Sequence, residues 1–411
     1  MDKLILPKLL ISRNSYITRI KPFINKNLIK VLTGQRRVGK SYLLFQLMQE
    51  IEQLDTNANL IYINKEDLSF DFIRNAQDLN TYILSLIVED KKNYIFIDEI
   101  QDIENFEKAL RHFSAKKMFD LYCTGSNAKL LSSEIATGLA GRYIEIPVHP
   151  LSYQEFLQFQ KLSAGEESLM QYIRYGGLPF LINLKLTDEV AYGYLQSIYS
   201  TIVLKDVVAR FNIRNVNFLQ RLLVFLADNI GSLVSAKSIS DFLKSQKIKT
   251  TPNIVLDYLS FLTASFIIRE VNRVDVRGKK IFEISEKYYW EDLGLRNAVV
   301  GYKAAEIGQM LENLVFSHLL RLGFAVYVGQ LAGKEIDFVA EKNGQRIYVQ
   351  VAYLIKDAKT KEREFGNLLG IADNYQKIVI SMDKGVGSDY KGIKHFSIVD
   401  FLLDDGIMEG R

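Results

Sequence analysis

Cysteine occurs once in the 411 residues, at position 123, so the chain has no internal disulfide framework and no cysteine-rich zinc module. Histidine occurs four times, at scattered positions, which leaves no basis for a histidine-built metal site. Proline is almost as scarce, with six, and extended linkers are therefore not expected. No run approaches the roughly 20 apolar residues of a membrane span. A dominant charge is also missing, because 52 Lys and Arg stand against 48 Asp and Glu. Any basic surface must be local rather than a property of the whole protein. The amino-terminal apolar stretch is interrupted by Lys8 and Arg13 and lacks a small-residue cleavage site, so a cytoplasmic protein with reduced thiols is expected.

What is abundant is core material. Hydrophobic residues make up 48% of the chain, with 24 Phe and 22 Tyr, enough for the two or three domains that the length suggests. Short apolar runs at 28–33, 59–64, 94–97, 119–124 and 143–146 alternate with helical periodicity at 41–51, 78–89, 104–114 and 128–135. This alternation predicts an α/β fold with a parallel sheet covered by helices over residues 1–150. A helical extension follows over 151–230, broken by the turn GGLP at 176–179. Residues 231–303 read as helix, turn, helix and hairpin, the order of a winged helix, and a last α/β unit occupies 304–411.

The motif richest in chemistry is GQRRVGKS: Gly34, Gln35, Arg36, Arg37, Val38, Gly39, Lys40 and Ser41, a complete Walker A P-loop between a predicted strand and a predicted helix. Its glycines let backbone N–H groups turn inward around phosphate oxygens at a helix N-terminus. Lys40 is expected to meet the β and γ phosphates of ATP, and Ser41 to ligate Mg²⁺. The companion Walker B element is NYIFIDEIQ at 93–101, in which Asp98 closes an apolar strand and can hold Mg²⁺, while Glu99 can polarise an attacking water. An acidic pair at this point favours hydrolysis, because a kinase must exclude water rather than activate it. Residues 64–67, NKED, match a guanine-reading pattern but precede the Mg²⁺-binding strand, so a polar loop capping a strand is the better reading.

GQRRVGKS and YIFIDEIQ, together with LYCTGSN at 121–127 and LAGRYIEIPVHPLSYQEF at 139–156, resemble a large group of prokaryotic AAA-type ATPases. The resemblance continues through YGGLPF at 175–180, LKDVV at 204–208 and KYYWEDLGLRN at 287–297. It implies an AAA-type ATPase domain followed by a winged-helix region and a C-terminal nuclease-like domain. It further implies a sensor at Asn127, with Ser126 as second choice, and an arginine finger at Arg142 that completes a neighbour's site in an ATP-state homo-oligomer. The alternative for Arg142 is a structural residue anchoring the last strand.

The first helix and turn of the predicted winged helix, 235–251, hold four lysines against one acid, and its wing adds Arg273, Arg277, Lys279 and Lys280. Non-specific DNA contact is one expectation; docking of a protein partner is the other. The last unit resembles the restriction-endonuclease-like (PD-(D/E)XK) fold, with Glu312 on a helix and Asp337 on a strand. Where that fold places an acid and a lysine, this chain has Gln350 and Ala352, so an inactive domain without charge stabiliser is expected, Asp337 having only local partners. The functional expectation is an ATP-hydrolysing switch or motor acting on nucleic acid or protein. The alternatives are an ATP-regulated DNA nuclease and a binding module in which ATP is a structural ligand.

Overall fold

A computed structural model describes residues 10–128, 139, 141–277, 281–355, 358–383 and 389–404. The chain divides into two compact units, one running up to His149 and including Ala264–Phe266, the other running from Pro150 to Thr263 and from Ile267 onward. Among the described residues no helix is long and apolar enough to cross a membrane.

The first unit opens with α1 (Asn14–Ile20) and β1 (Ile29–Thr33), then α2 (Lys40–Leu54), β2 (Asn59–Asn64), α3 (Ala76–Leu86), β3 (Asn93–Asp98), α4 (Phe106–Ser114), β4 (Phe119–Gly125) and β5 (Tyr143–Pro147). The five strands are all parallel, in the order β2-β3-β4-β1-β5. β1, β3 and β4 are buried along their whole length, which is why they read as continuous apolar runs. A buried ion pair lies inside this block. Lys30 of β1 and Asp120 of β4 are 0% and 1% exposed and form an ion pair, with the Tyr122 hydroxyl and the Asn25 N–H donating to Asp120 at 2.8 and 2.9 Å. Removing one partner alone would strand a buried charge, a cost of about 3–5 kcal/mol.

Helices α3 and α4 differ from their predicted spans for local reasons. α3 starts earlier, where Asn75 accepts from the N–H groups of Gln77 and Asp78, and it stops at Leu86 because Ile87 is extended. α4 starts at Phe106 because Asn105 is left-handed, with φ 55°. The helix predicted over 128–135 lies outside the described residues apart from its first position.

The second unit begins with helices α5 (Tyr153–Gln160), α6 (Glu166–Tyr175), α7 (Asp188–Thr201) and α8 (Val216–Asp228), α7 continuing as a π-helical stretch over Ile202–Ala209. After β6 (Leu233–Val234) come α9 (Ala236–Ser245), α10 (Pro252–Ala264), β7 (Ile268–Asp275), β8 (Ile281–Trp290) and α11 (Leu293–Val300). The remainder is α12 (Ile307–Arg321), β9 (Ala325–Leu331), β10 (Lys334–Lys342), β11 (Gln345–Val351), α13 (Ala358–Leu369), β12 (Gln376–Ser381), β13 (Lys394–Ser397) and α14 (Ile398–Leu403). Helix, turn, helix and hairpin do follow one another, but the hairpin is not a separate wing. β7 pairs in parallel with β9, and one eight-stranded sheet runs β13-β12-β11-β10-β9-β7-β8-β6. Local periodicity carries no signal for a pairing between strands separated by a strand and two helices.

The stretch KYYWEDLGLRN proves to be a structural knot. Asp292 caps α11 through the Leu295 N–H at 3.0 Å and accepts from Gly177 of the GGLP turn at 2.7 Å. Arg296 donates to the Ala227 carbonyl at 2.9 Å, and Asn297 donates to the Ile173 carbonyl at 2.9 Å. Burial pushes the Asp292 carboxyl up to about 6 against the hydrogen bonds from the Gly177 and Leu295 N–H groups.

His318 of α12 is 2% exposed, packs edge-on against Phe401 of α14, and has no hydrogen-bond partner for either ring nitrogen among the described residues. Burial, reinforced by the charge of Arg321, pushes its pKa from 6.5 down to about 3. A group whose folded pKa is depressed stabilises the fold fully above its unfolded pKa and loses that contribution as pH falls toward the folded one. We therefore expect stability to fall below pH 6.5 with a His318 share of at most about 1.4 kcal/mol per pH unit. Between neutral and acidic pH, the urea midpoint of wild type should fall more steeply than that of His318→Leu; parallel curves would contradict this origin.

Candidate functional site

At the carboxyl end of β1 the chain turns through residues 34–39 into α2, and the turn depends on two glycines. Gly34, at φ +151°, passes so close to β5's continuation that a Cβ would lie 2.1 Å from the Val148 carbonyl oxygen. Gly39, at φ 93°, is the N-cap of α2. Lys40 follows as the first helical residue, and its ammonium donates back to the Gly34 and Gln35 carbonyls at 3.0 and 3.1 Å. The same ammonium is 3.6 Å from Glu99. Gln35 is fully buried, and neither atom of its amide has a hydrogen-bond partner among the described residues.

β3 brings Asp98 to the same edge of the sheet. Its carboxylate accepts from the hydroxyls of Thr124, Ser41 and, at 3.2 Å, Tyr62. Glu99 is left-handed at φ 55°, and its N–H donates to the Thr124 hydroxyl at 2.9 Å, so one threonine ties both acids to β4. Lys40, Asp98 and Glu99 are 4%, 3% and 6% exposed, so their charges are compensated chiefly by one another. Burial and then the neighbouring Glu99 charge raise the pKa of Asp98, against hydrogen bonds from Ser41 and Thr124. Glu99 goes the other way. Burial alone would raise it, but Lys40, Arg36 and hydrogen bonds from Gln101 and Ser126 outweigh burial and hold it down at about 2.

The structure thus brings Gly34, Lys40, Ser41, Asp98 and Glu99 together, with Ser126 in hydrogen-bonding contact with Glu99. Asn127 is half-buried one residue beyond. Arg142 is not brought to the loop of its own chain. It is exposed and precedes β5 at the amino edge of the sheet, where Tyr143 aligns with Ile29, whereas the loop leaves the opposite edge, where Pro147 aligns with Thr33. The NKED segment supports the loop and its own turn: Glu66 pairs with Arg36, Asn64 accepts from the Glu66 N–H at 2.9 Å, and Lys65 donates to the Phe70 carbonyl at 2.7 Å.

Sequence reasoning missed Arg13. Its buried guanidinium donates to the Val38 carbonyl of the loop at 3.0 Å and to the His149 carbonyl at 3.1 Å, while the Tyr16 hydroxyl accepts from the His149 N–H at 3.0 Å. The chain offers no local signal for this, because the partners are 25 and 136 residues away.

In the second unit the expectation of a site lacking positive charge is corrected. Lys287 of β8, 3% exposed, is 2.8 Å from Glu312 and 2.7 Å from Glu335. Asp337 is buried beside them, so it is not the isolated carboxylate expected from the hairpin alone. Lys287 lies in β8, upstream of residues 304–411, where the endonuclease-like resemblance is read, which is why that resemblance does not reveal it.

Comparison with known proteins adds three findings. A family described as an AAA domain matches residues 26–157, and a domain of unknown function matches residues 166–306. An uncharacterized protein of Haemophilus influenzae is 37% identical over 403 residues, covering 96% of this chain and 99% of that protein. The Methanocaldococcus jannaschii protein MJ1544 is 31% identical over 391 residues, covering 89% of this chain and 85% of its own. Among solved structures, a Walker-type ATPase of Pyrococcus abyssi, PABY2304, superposes with a TM-score of 0.52 at 17% identity, over 71% of this chain and 96% of that one. That likeness concerns the fold.

The close approach at Gly34 generates a direct test. Gly34→Ala forces a Cβ into the Val148 carbonyl, and neither backbone segment can yield without disturbing β1 or the chain after β5. We expect a loss of about 2 kcal/mol or more, read as a lowered Tm. An unchanged Tm would mean that the loop and the chain after β5 do not meet as described.

Proposed function

The chain belongs to the family of its Haemophilus influenzae and Methanocaldococcus jannaschii relatives and carries an AAA-type P-loop domain, and from that premise we propose that it binds ATP with Mg²⁺ and hydrolyses it, as a switch or motor. The observation that carries this reading is the convergence of Lys40, Ser41, Asp98 and Glu99 at one edge of a parallel sheet, in front of a helix N-terminus. The donor set fits the ligand. Backbone N–H groups of residues 34–41 would hold phosphate oxygens, and the Ser41 hydroxyl with the Asp98 carboxylate would hold Mg²⁺, which supplies positive charge where the phosphoryl group develops negative charge.

Lys40 leans on two loop carbonyls and on Glu99. Phosphate oxygens are stronger acceptors than amide carbonyls, so Lys40 is expected to turn to them. Glu99 then loses its first counter-charge, regains basicity and is available to polarise a water, while Thr124 keeps the strand end in place. Arg142, exposed at the far edge of the sheet, is suited to completing the site of a neighbouring subunit rather than its own.

For the partner, the reading is nucleic acid bound without sequence preference. Lys237, Lys244, Lys247 and Lys249, on or beside α9, are all exposed. α10 exposes Ile254 and Leu256 and offers few side chains that read base edges, Asn253, Asp257 and Ser260 among them. Of the hairpin cations, Arg273 donates to Gln330, Arg277 is exposed, and Lys279 and Lys280 lie outside the described residues.

Two experiments test this function. Glu99→Gln should retain ATP binding while turnover falls about a hundredfold or more, because an amide cannot accept the proton of water. Wild-type turnover would remove Glu99 from catalysis, and ATP binding without turnover in the wild-type protein would favour a structural ligand. For the partner, Lys244, Lys247 and Lys249 changed together to Glu should abolish a weak, salt-sensitive mobility shift on duplex DNA. No shift by the wild-type protein at low salt, on duplex or single strand, would refute DNA as the partner.

A further inference from the structure

The second unit contains a group of charges that the nucleotide site does not use. Glu312 on α12, Glu335 and Asp337 on β10 and Gln350 on β11 line a cavity of about 840 Å³. Asp337 lies where β10 bulges: three steps from Ile336 to Val339 face only two on β9, from Gly329 to Tyr327. A bulge of this kind re-aims a side chain out of the ordinary alternation. The Asp337 carboxylate is fixed by the Val351 N–H at 2.7 Å. Gln350 is 7% exposed, and its Oε1 has no hydrogen-bond partner among the described residues.

Three carboxylates and an amide oxygen, of which Asp337 and Gln350 are buried and Glu312 and Glu335 partly exposed, form an oxygen donor set for a hard cation. The cation that meets them belongs to the chain. Lys287 reaches Glu312 and Glu335 from β8, just past a second and larger irregularity, where two steps on β7 (Val271 to Arg273) face five on β8 (Phe282 to Lys287). Two residues further along the same face of β8, the Tyr289 hydroxyl donates to the Glu312 oxygen that Lys287 also holds. Glu312 and Glu335 are thus already engaged, and among the described residues no group of three His, Cys, Asp or Glu side chains is placed to hold a metal ion. A divalent ion beside this ammonium would meet repulsion that shared carboxylates do not screen in a buried site. The residues present do not fit the metal that an endonuclease-like fold implies.

We propose that Lys287 is a tethered replacement for a divalent cation, and that removing its ammonium uncovers a metal site formed by Glu312, Asp337 and Gln350. The carboxylates of the native pocket are then partly neutralised by the chain's own ammonium, which stays in place whatever the concentration of Mg²⁺. Lys287 acts here as a positioning residue, holding carboxylates that would otherwise repel one another.

The test uses full-length, nucleotide-free protein and Mn²⁺, with bound ion followed by electron paramagnetic resonance and stability by thermal unfolding. Lys287→Met should bind an additional Mn²⁺ per chain, with affinity at this site raised roughly tenfold or more over wild type. Its Tm should lie below that of wild type and recover as Mn²⁺ is added, whereas Mn²⁺ should not raise the Tm of wild type. Adding Glu312→Gln to Lys287→Met should cancel the gain in binding. If Lys287→Met does not fold, Lys287→Met with Glu335→Gln removes one carboxylate together with the ammonium and should show the same gain. Equal Mn²⁺ binding by wild type and the folded Lys287 variant would overturn the proposal. So would Mn²⁺ binding by wild type that is lost in Glu312→Gln, since the native pocket would then be a metal site already.

Discussion

The ion pair between Lys40 and Glu99 is the constraint on which the first unit depends. Both groups are almost withdrawn from water, and so is Asp98 beside them. Buried charges of this kind persist only when each is met by an opposite charge or a hydrogen bond. The surrounding architecture supplies those partners. Parallel pairing sets the ends of β1, β3 and β4 side by side, so that Thr124 can accept from the Glu99 N–H while donating to Asp98. The loop must then turn sharply enough to bring Lys40 back over its own carbonyls. Glycine at position 34 permits this against the Val148 carbonyl, and Arg13 holds the outer side of the loop through Val38.

The same rule organises the second unit without producing a nucleotide site. Asp292 is buried and satisfied by backbone N–H groups of the GGLP turn and of its own helix, and it joins segments distant in sequence. Arg296 and Asn297 extend this join to α8 and α6 through carbonyls that would otherwise lack partners at helix ends. Residues that mark the family by their spelling therefore work here as fasteners. Lys287 stands between the two situations, a buried cation whose partners are carboxylates on one helix, α12, and one strand, β10.

Much of this architecture is legible in the order of the amino acids alone. Residues 34–41 and 93–99 declare a phosphate loop and an acid-ended strand because their chemistry is local: glycine spacing, a lysine at a helix start and an apolar run closed by two acids. The parallel sheet follows from strands apolar on both faces, and the hairpin around Asn343 and Gly344 from turn chemistry. Helix ends differ by a turn or less where one residue, Asn75 or Asn105, decides the cap.

Other features depend on pairings between residues far apart in the chain. The element types, the phosphate loop and the acids that face it are each encoded within a few residues. Folding sets the rest: that β7 joins β9 in one eight-stranded sheet, that Arg13 clamps the loop, that Arg142 lies at the opposite end of the strands from it, and that Lys287 meets Glu312 and Glu335. The physical reason is range. Propensity, capping and periodicity act over one or two turns of chain, whereas the partner of a buried charge is chosen by where folding carries it, and no spacing in the sequence records that choice.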